Sequence, residues 1–250
     1  MDYVNDELKI YRGQDYVVSK HIHISQPTLG DICDYGEEAY FSMVHQLTAT
    51  PSSLKAQLWK CGVDYTTITS YSMFYHFIYN NYSIEQTSIL FGNLDLTKFQ
   101  LMQRKDNGEI VLWQMIGNDE VIIDEYTYNV ITDYLRKAHF IKKDEKMPGN
   151  ESTKMILIED ALEELQMASQ KEYQSFLKNL ISAMVNYEGF KYNHDQVWDM
   201  KINAFMDSVK RASKIKNADL LLQSGYSGFG INLKKDIKDK NQLNWLGELE

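Results

Sequence analysis

The stretch YVVSKHIHISQPTLGDICDYGEEAYFSMVHQL, residues 16–47, changes its hydrophobic period halfway along. From Tyr16 to Ile24, Val18, Ile22 and Ile24 share one face at period two, which predicts a strand, paired with Leu8 to Tyr11 across a turn at Gly13. Beyond Pro27 the period lengthens: Leu29, Ile32, Cys33, Gly36, Tyr40, Met43, Val44 and Leu47 fall on one face of a long helix. Thr28, with Asp31 three positions later, has the form of a capping box, and Asp31, Asp34, Glu37 and Glu38 suit the positive end of a helix dipole. A strand that passes directly into a helix sets the expectation of an α+β fold.

Working outward, Thr50-Pro51 predicts an N-cap with proline at the first helical position, then Leu54, Leu58 and Cys61 on one face and Gly62 as a stop. The aromatic-rich stretch from Ile68 to Tyr82 predicts a third helix. Asp106-Asn107-Gly108 between Phe99 to Arg104 and Glu109 to Met115 is a hairpin signal, and Gly117-Asn118-Asp119 turns the chain into Val121 to Ile123. A small antiparallel sheet follows from this, and then a helix marked by Val130, Ile131, Tyr134, Leu135 and Ala138.

Residues 142–153 are charged, carry Pro148-Gly149 and lack a buried pattern, so they read as a linker. After them Met155 to Leu165, Phe176 to Met184 and Ile202 to Ile215 each show helical spacing. The expected fold is therefore α+β and mostly helical: an N-terminal β-hairpin and small antiparallel sheet with helices, then a C-terminal helical part. Its expected division is an N-terminal part over 1–141, the linker over 142–153, the helical part over 154–230 and a polar tail over 231–250.

Across 250 residues, Lys plus Arg is 26 and Asp plus Glu is 35, a net charge of −9. That balance opposes a general nucleic-acid or anionic-membrane binder. No apolar run approaches a membrane span, and the first residues lack a basic region followed by an apolar stretch, so no secretory signal is expected. Cys33 and Cys61 both fall in helical patterns and make a poor disulfide framework, which fits a reducing cytoplasm. Asn150-Glu151-Ser152 is then a chance sequon.

Chemical constellations are sparse. His21 and His23 share a strand face, but no further ligand stands at zinc-site spacing, and His45, His76, His139 and His194 are scattered. Gly225, Gly228 and Gly230 follow a helix where a dinucleotide fingerprint follows a strand, and Phe229 occupies the place where a nucleophile elbow needs glycine. Asp106-Asn107-Gly108 lacks the spaced ligands of a calcium loop. Glu159, Asp160, Glu163 and Glu164 oppose an apolar helix face and read as solvated. Lys201, Lys210, Arg211, Lys214 and Lys216 form the one basic concentration, read as a solvated face. No catalytic, cofactor-binding or metal residue is expected, and the reading is of a non-enzyme.

Several strings together resemble a known family: residues 24–32 (ISQPTLGDI), 35–41 (YGEEAYF), 47–52 (LTATPS), 218–228 (ADLLLQSGYSG) and 244–246 (NWL). They are similar to proteins of the tail-gene region of tailed phages and prophages of Gram-positive bacteria, tail assembly chaperones in particular. The resemblance runs from about Leu8 to Leu249. It implies a non-enzymatic protein of the host bacterial cytoplasm that binds tail components, of tube or tape-measure type, before they polymerise. The other implied reading is a virion structural subunit of the tail or baseplate. Self-association into a homo-oligomer is compatible with both. Seventeen tyrosines, eleven methionines and four tryptophans suit a protein that covers apolar surface. The expected partner-binding residues are Leu243, Trp245, Leu246 and Phe229, since an apolar cluster after a polar Lys-rich approach must dock on its own chain or on a partner.

Overall fold

The computed structural model describes residues 7–227, 230–233 and 235–249. The fold is α+β and mostly helical, with one two-stranded and one three-stranded antiparallel sheet.

Its N-terminal part departs from the sequence reading in two places. Leu8 to Tyr11 lie in helix α1 (Glu7–Arg12) and form no strand; Glu7 in the first turn and Lys9 and Arg12 in the last complement the helix dipole. Tyr16 to Ile24 is a tight hairpin in which β1 (Tyr16–Val17) pairs with β2 (His23–Ile24), Tyr16 opposite Ile24. The amide of Ile22 donates to Ser19 O (3.3 Å) and that of Val18 to Ile22 O (2.9 Å), which folds the middle of the supposed strand back on itself. Alternation over nine residues is equally compatible with one strand and with two short arms.

The long helix expected after Pro27 is two helices, α2 (Leu29–Tyr35) and α3 (Glu37–Leu47). Gly36 separates them at φ +100°, ψ +110°, a conformation open to glycine alone. The capping box at the start is present: Asp31 N donates to Thr28 Oγ1 (3.0 Å) and Thr28 N to Asp31 Oδ2 (2.8 Å).

Helix α4 (Lys55–Lys60) begins later than Pro51. Thr50 N donates to Ser53 Oγ (2.9 Å) and Ser53 N to Thr50 Oγ1 (3.2 Å), which closes a separate turn, and Cys61 beyond α4 is exposed. Helix α5 (Ser70–Phe77) carries the aromatic stretch, and α6 (Ile84–Phe91) follows from a Ser83/Gln86 capping box that the sequence reading passed over. The predicted sheet is β3 (Gln100–Gln103), β4 (Ile110–Ile116) and β5 (Asp119–Ile123) in that order, with Leu101 opposite Leu112 and Leu112 opposite Ile123. Leu112, Gln114, Val121 and Ile123 bury one face against α7 (Glu125–His139) and its neighbours.

Residues 142–149 form no regular element, and Asn150 caps α8 (Glu151–Ser169), so the last three residues of the expected linker are already helical. The irregular segment is held: Thr50 Oγ1 donates to Asp144 O (2.5 Å) and Ser52 Oγ to Lys146 O (3.1 Å). Helix α9 (Phe176–Val185), a 3₁₀ turn (Gln196–Asp199) and α10 (Ile202–Tyr226) complete the body, and a second 3₁₀ turn (Lys240–Leu243) lies in the tail.

One hydrophobic cluster runs through the helices before and after residues 142–149: Tyr40, Met43 and Leu47 of α3, Leu135 of α7, Ile158 of α8, Leu177 and Ile181 of α9, and Phe205 of α10 belong to it. Each such side chain contributes about 1.5–3 kcal/mol by leaving water. Polar ties between the same helices are specific. Buried Arg136 donates to Thr48 O at the end of α3 from Nε (3.2 Å) and Nη2 (2.7 Å), and Asn203 Nδ2 donates to Lys137 O and Ala138 O at the end of α7 (3.2 Å each). Among the described residues no helix is long and apolar enough to cross a membrane.

Candidate partner-binding surface

Helix α9 owes its place to its N-terminus. Ser175 Oγ accepts from Lys178 N (3.0 Å), and Glu37 Oε1, reaching from the start of α3, accepts from Leu177 N (2.7 Å). Two of the four orphan amides of α9 are thereby satisfied, one by another element. Phe41 meets Phe176 edge-on at 6.2 Å beside this cap.

The 3₁₀ turn is fixed just as locally. Asn193 Oδ1 accepts from Asp195 N (3.0 Å) and Gln196 N (2.9 Å), and Leu29 N donates to Met200 O (3.0 Å). The approach to α2 is close: a Cβ on Gly30 would stand 3.3 Å from Trp198 O, so glycine lets the turn lie against the first turn of α2.

Between α2, α9 and the 3₁₀ turn runs a groove of about 460 Å³. Leu29, Leu177, Ile181, Val185 and Trp198 give it an apolar floor, and Glu37, Lys178, Ser182, Asn186 and His194 stand around it. An apolar floor with a few polar groups at its rim is the form of a binding site for a compact apolar group. Cys33 lines the α2 side and is a free thiol. The sequence reading missed this groove. Its signal was the apolar face of α9, already visible in Leu177, Leu180, Ile181 and Met184, but no sequence pattern brings that face beside Leu29.

The four residues singled out from the sequence are placed as follows. Phe229 lies outside the described residues. Leu243 ends the tail's 3₁₀ turn and is half-buried; Trp245 is 46% exposed and Leu246 is 72% exposed. They do not line the groove. The tail lies back along α10: Arg211 Nη1 donates to Trp245 O (2.7 Å) and Gly247 O (2.8 Å), and Lys214 Nζ donates to Glu248 O. Ala218 and Ile237 are buried, and a Cβ on Gly225 would clash with Leu233. Four of the five basic residues over 201–216, Lys201, Lys210, Arg211 and Lys214, are thus engaged, and Lys216 is exposed. Lys201 Nζ donates to Gln26 O (2.8 Å) and Lys210 stands 4.9 Å over the Phe140 ring.

Several titratable groups have equilibria displaced by burial or by bonds within the chain. His139 is buried; its Nδ1 donates to Leu135 O (2.7 Å), so its Nε2 accepts from the Tyr40 hydroxyl (2.5 Å), and burial lowers its pKa to about 4. Burial likewise raises the Tyr40 phenol and the Asp207 carboxyl, the latter opposed by Arg211. Lys154 holds Asp64 at 2.7 Å, and that bond lowers Asp64 to about 2. His21 and Lys20 share Asp119 (2.7 and 2.6 Å), tying the first hairpin to the β4–β5 turn. A wider cleft of about 550 Å³ contains Asp15, Asp31 and Asp34, where Asp31 is occupied in capping α2. Among the described residues no group of three His, Cys, Asp or Glu side chains is placed to hold a metal ion.

Residues 169–250 match the family model described as the YomV second domain, a family of phage origin. That match covers α9, the 3₁₀ turn, α10 and the tail, about a third of the chain. No curated protein and no solved structure matches the chain.

Proposed function

We propose that the chain is a non-enzymatic phage assembly factor that holds an apolar segment of a tail protein, of tube or tape-measure type, before polymerisation. The observation that carries this reading is the groove between α2, α9 and the 3₁₀ turn, most of whose lining comes from the segment that matches a phage-derived family. Unassembled tail subunits expose apolar helix faces and strand edges that otherwise aggregate. A half-open apolar groove with a polar rim covers such a segment while leaving it releasable. Tyr40, His139, Asp31, Asp64 and Asp119 are engaged in bonds within the chain, which supports binding over catalysis.

The test is co-expression with the tube and tape-measure proteins of the same phage. The expected result is a soluble complex with one of them that Ser182→Glu, an exposed position on the groove, abolishes while the fold is retained. The chain is expected in infected-cell lysate and absent from purified particles. Stoichiometric presence in mature particles would support a tail or baseplate subunit instead.

A further inference from the structure

The chain carries an apolar projection as well as an apolar groove, and the two do not meet within one molecule. Trp245 and Leu246 project from α10, whereas the groove opens between α2, α9 and the 3₁₀ turn. We propose that a second copy of this chain seats its Trp245–Leu246 pair in this groove, so that copies associate head to tail.

Three observations point to this occupant. First, the projection is held ready: Arg211 and Lys214 fix the backbone carbonyls of Trp245, Gly247 and Glu248, so the side chains stand out from a backbone already ordered. An ordered anchor avoids much of the entropy that a loose tail loses on binding. Second, the groove's volume of about 460 Å³ leaves room for an indole and an isobutyl group above an apolar floor. Third, the charges are complementary. Glu248, two residues beyond Leu246, is exposed, and Lys178 is exposed at the groove rim; neither side chain has an ion-pair partner among the described residues. The orientation that seats Leu246 with Glu248 toward Lys178 is the favourable one, since Glu37, the carboxylate on the groove, is already bonded to Leu177 N (2.7 Å).

Because donor and acceptor are different patches, the contact is heterologous. Copies then add in an open chain, which leaves one groove free at its end, or in a closed ring, which leaves none. The groove is also the one assigned to a client, so a seated copy competes with that client. The inference concerns self-association alone and does not depend on client capture.

The test is sedimentation velocity of the full chain over a concentration series, with thermal unfolding as the check on folding. Wild type is expected to grow in size with concentration, and Trp245→Ala to weaken association by about 30-fold, the scale of an interface hot spot. Lys178→Glu and Glu248→Lys are each expected to weaken it, and the double variant to restore it. Most specific is mixing: Trp245→Ala chains keep a groove and Ser182→Glu chains keep a projection, so each alone is expected to be monomeric and their mixture to form a dimer that grows no further. Wild type that stays monomeric up to about 1 mM would overturn the proposal. So would association unchanged by both Trp245→Ala and the charge reversals, or a mixture that stays monomeric. Should Trp245→Ala unfold, the charge-reversal set decides, since both of its positions are exposed. Loss of client capture with self-association intact would count against the proposed function and leave this inference standing.

Discussion

Arg211 holds Trp245 by its backbone: the guanidinium donates to Trp245 O at 2.7 Å and to Gly247 O at 2.8 Å. The indole is therefore positioned without being buried, and the two properties can be separated by mutation. Arg211→Ala is expected to speed amide exchange across residues 243–248 while changing the stability of the body by no more than about 1 kcal/mol, the net worth of such bonds at a surface. Hydrogen exchange read by mass spectrometry checks this. Unchanged exchange across the tail would mean that other contacts hold it.

Gly36 tests the break between α2 and α3. Its φ of +100° is closed to side-chain-bearing residues, yet nothing lies within 4 Å of where a Cβ would stand. Gly36→Ala is therefore expected to cost about 1–3 kcal/mol through the backbone alone. Gly149→Ala, also with open space around it, is expected to stay within about 0.5 kcal/mol. Urea unfolding of both variants gives the comparison; equal costs would contradict the backbone explanation.

Arg136 closes the end of α3 from α7. Arg136→Met leaves Thr48 O without its two donors and frees Asp133, which now pairs with Arg136 at 3.0 Å. A loss of about 2–4 kcal/mol is expected, because a buried carbonyl loses its partner as well as its bonds. Chemical denaturation reads it directly, and a loss under about 1 kcal/mol would show that water replaces the guanidinium.

How much of this was legible in the sequence depended on whether the signal was local. The Thr28/Asp31 cap, the turn at Asn107-Gly108 and the helices α7 to α10 rest on neighbours a few residues apart, and all are present, although α8 begins inside the expected linker and α10 runs on to Tyr226. Gly36 fits the helix face by spacing alone, because helical spacing says nothing about φ. Leu8 to Tyr11 carry too little periodicity, over four residues, to tell a strand from the helical turn they form. The groove was not legible, since Leu29 and Ile181 come together only through Glu37 capping α9 and the contact of Leu29 N with Met200 O. Trp245 and Leu246 stood out from sequence as isolated apolar residues, but their attachment to Arg211 and Lys214 is tertiary.

His139 sets an acid limit on stability. The unfolded chain takes up this proton near the ordinary histidine value of about 6.5, while the folded chain does so only near 4. Between those values the unfolded state binds more protons, so stability falls as pH drops below 6.5, and this contribution is fully lost below 4. The loss amounts to about 3 kcal/mol. Two titratable groups face it: Tyr40, kept neutral by burial, donates to its Nε2, and His45 lowers its pKa further by charge. Unfolding free energies of wild type and His139→Gln between pH 7 and pH 4 are expected to converge as the pH falls. Parallel curves would assign the acid loss to the carboxylates.

The groove's role in holding a tail protein is the central claim, and titration calorimetry of the purified chain with the tube or tape-measure protein that co-purifies with it tests that claim most directly. The account predicts saturable binding with a negative heat-capacity change, the mark of apolar burial, weakened at least tenfold by Ser182→Glu and unaffected by Gly149→Ala. Binding of equal strength to wild type and Ser182→Glu, or no binding to any tail protein of the phage, would contradict it.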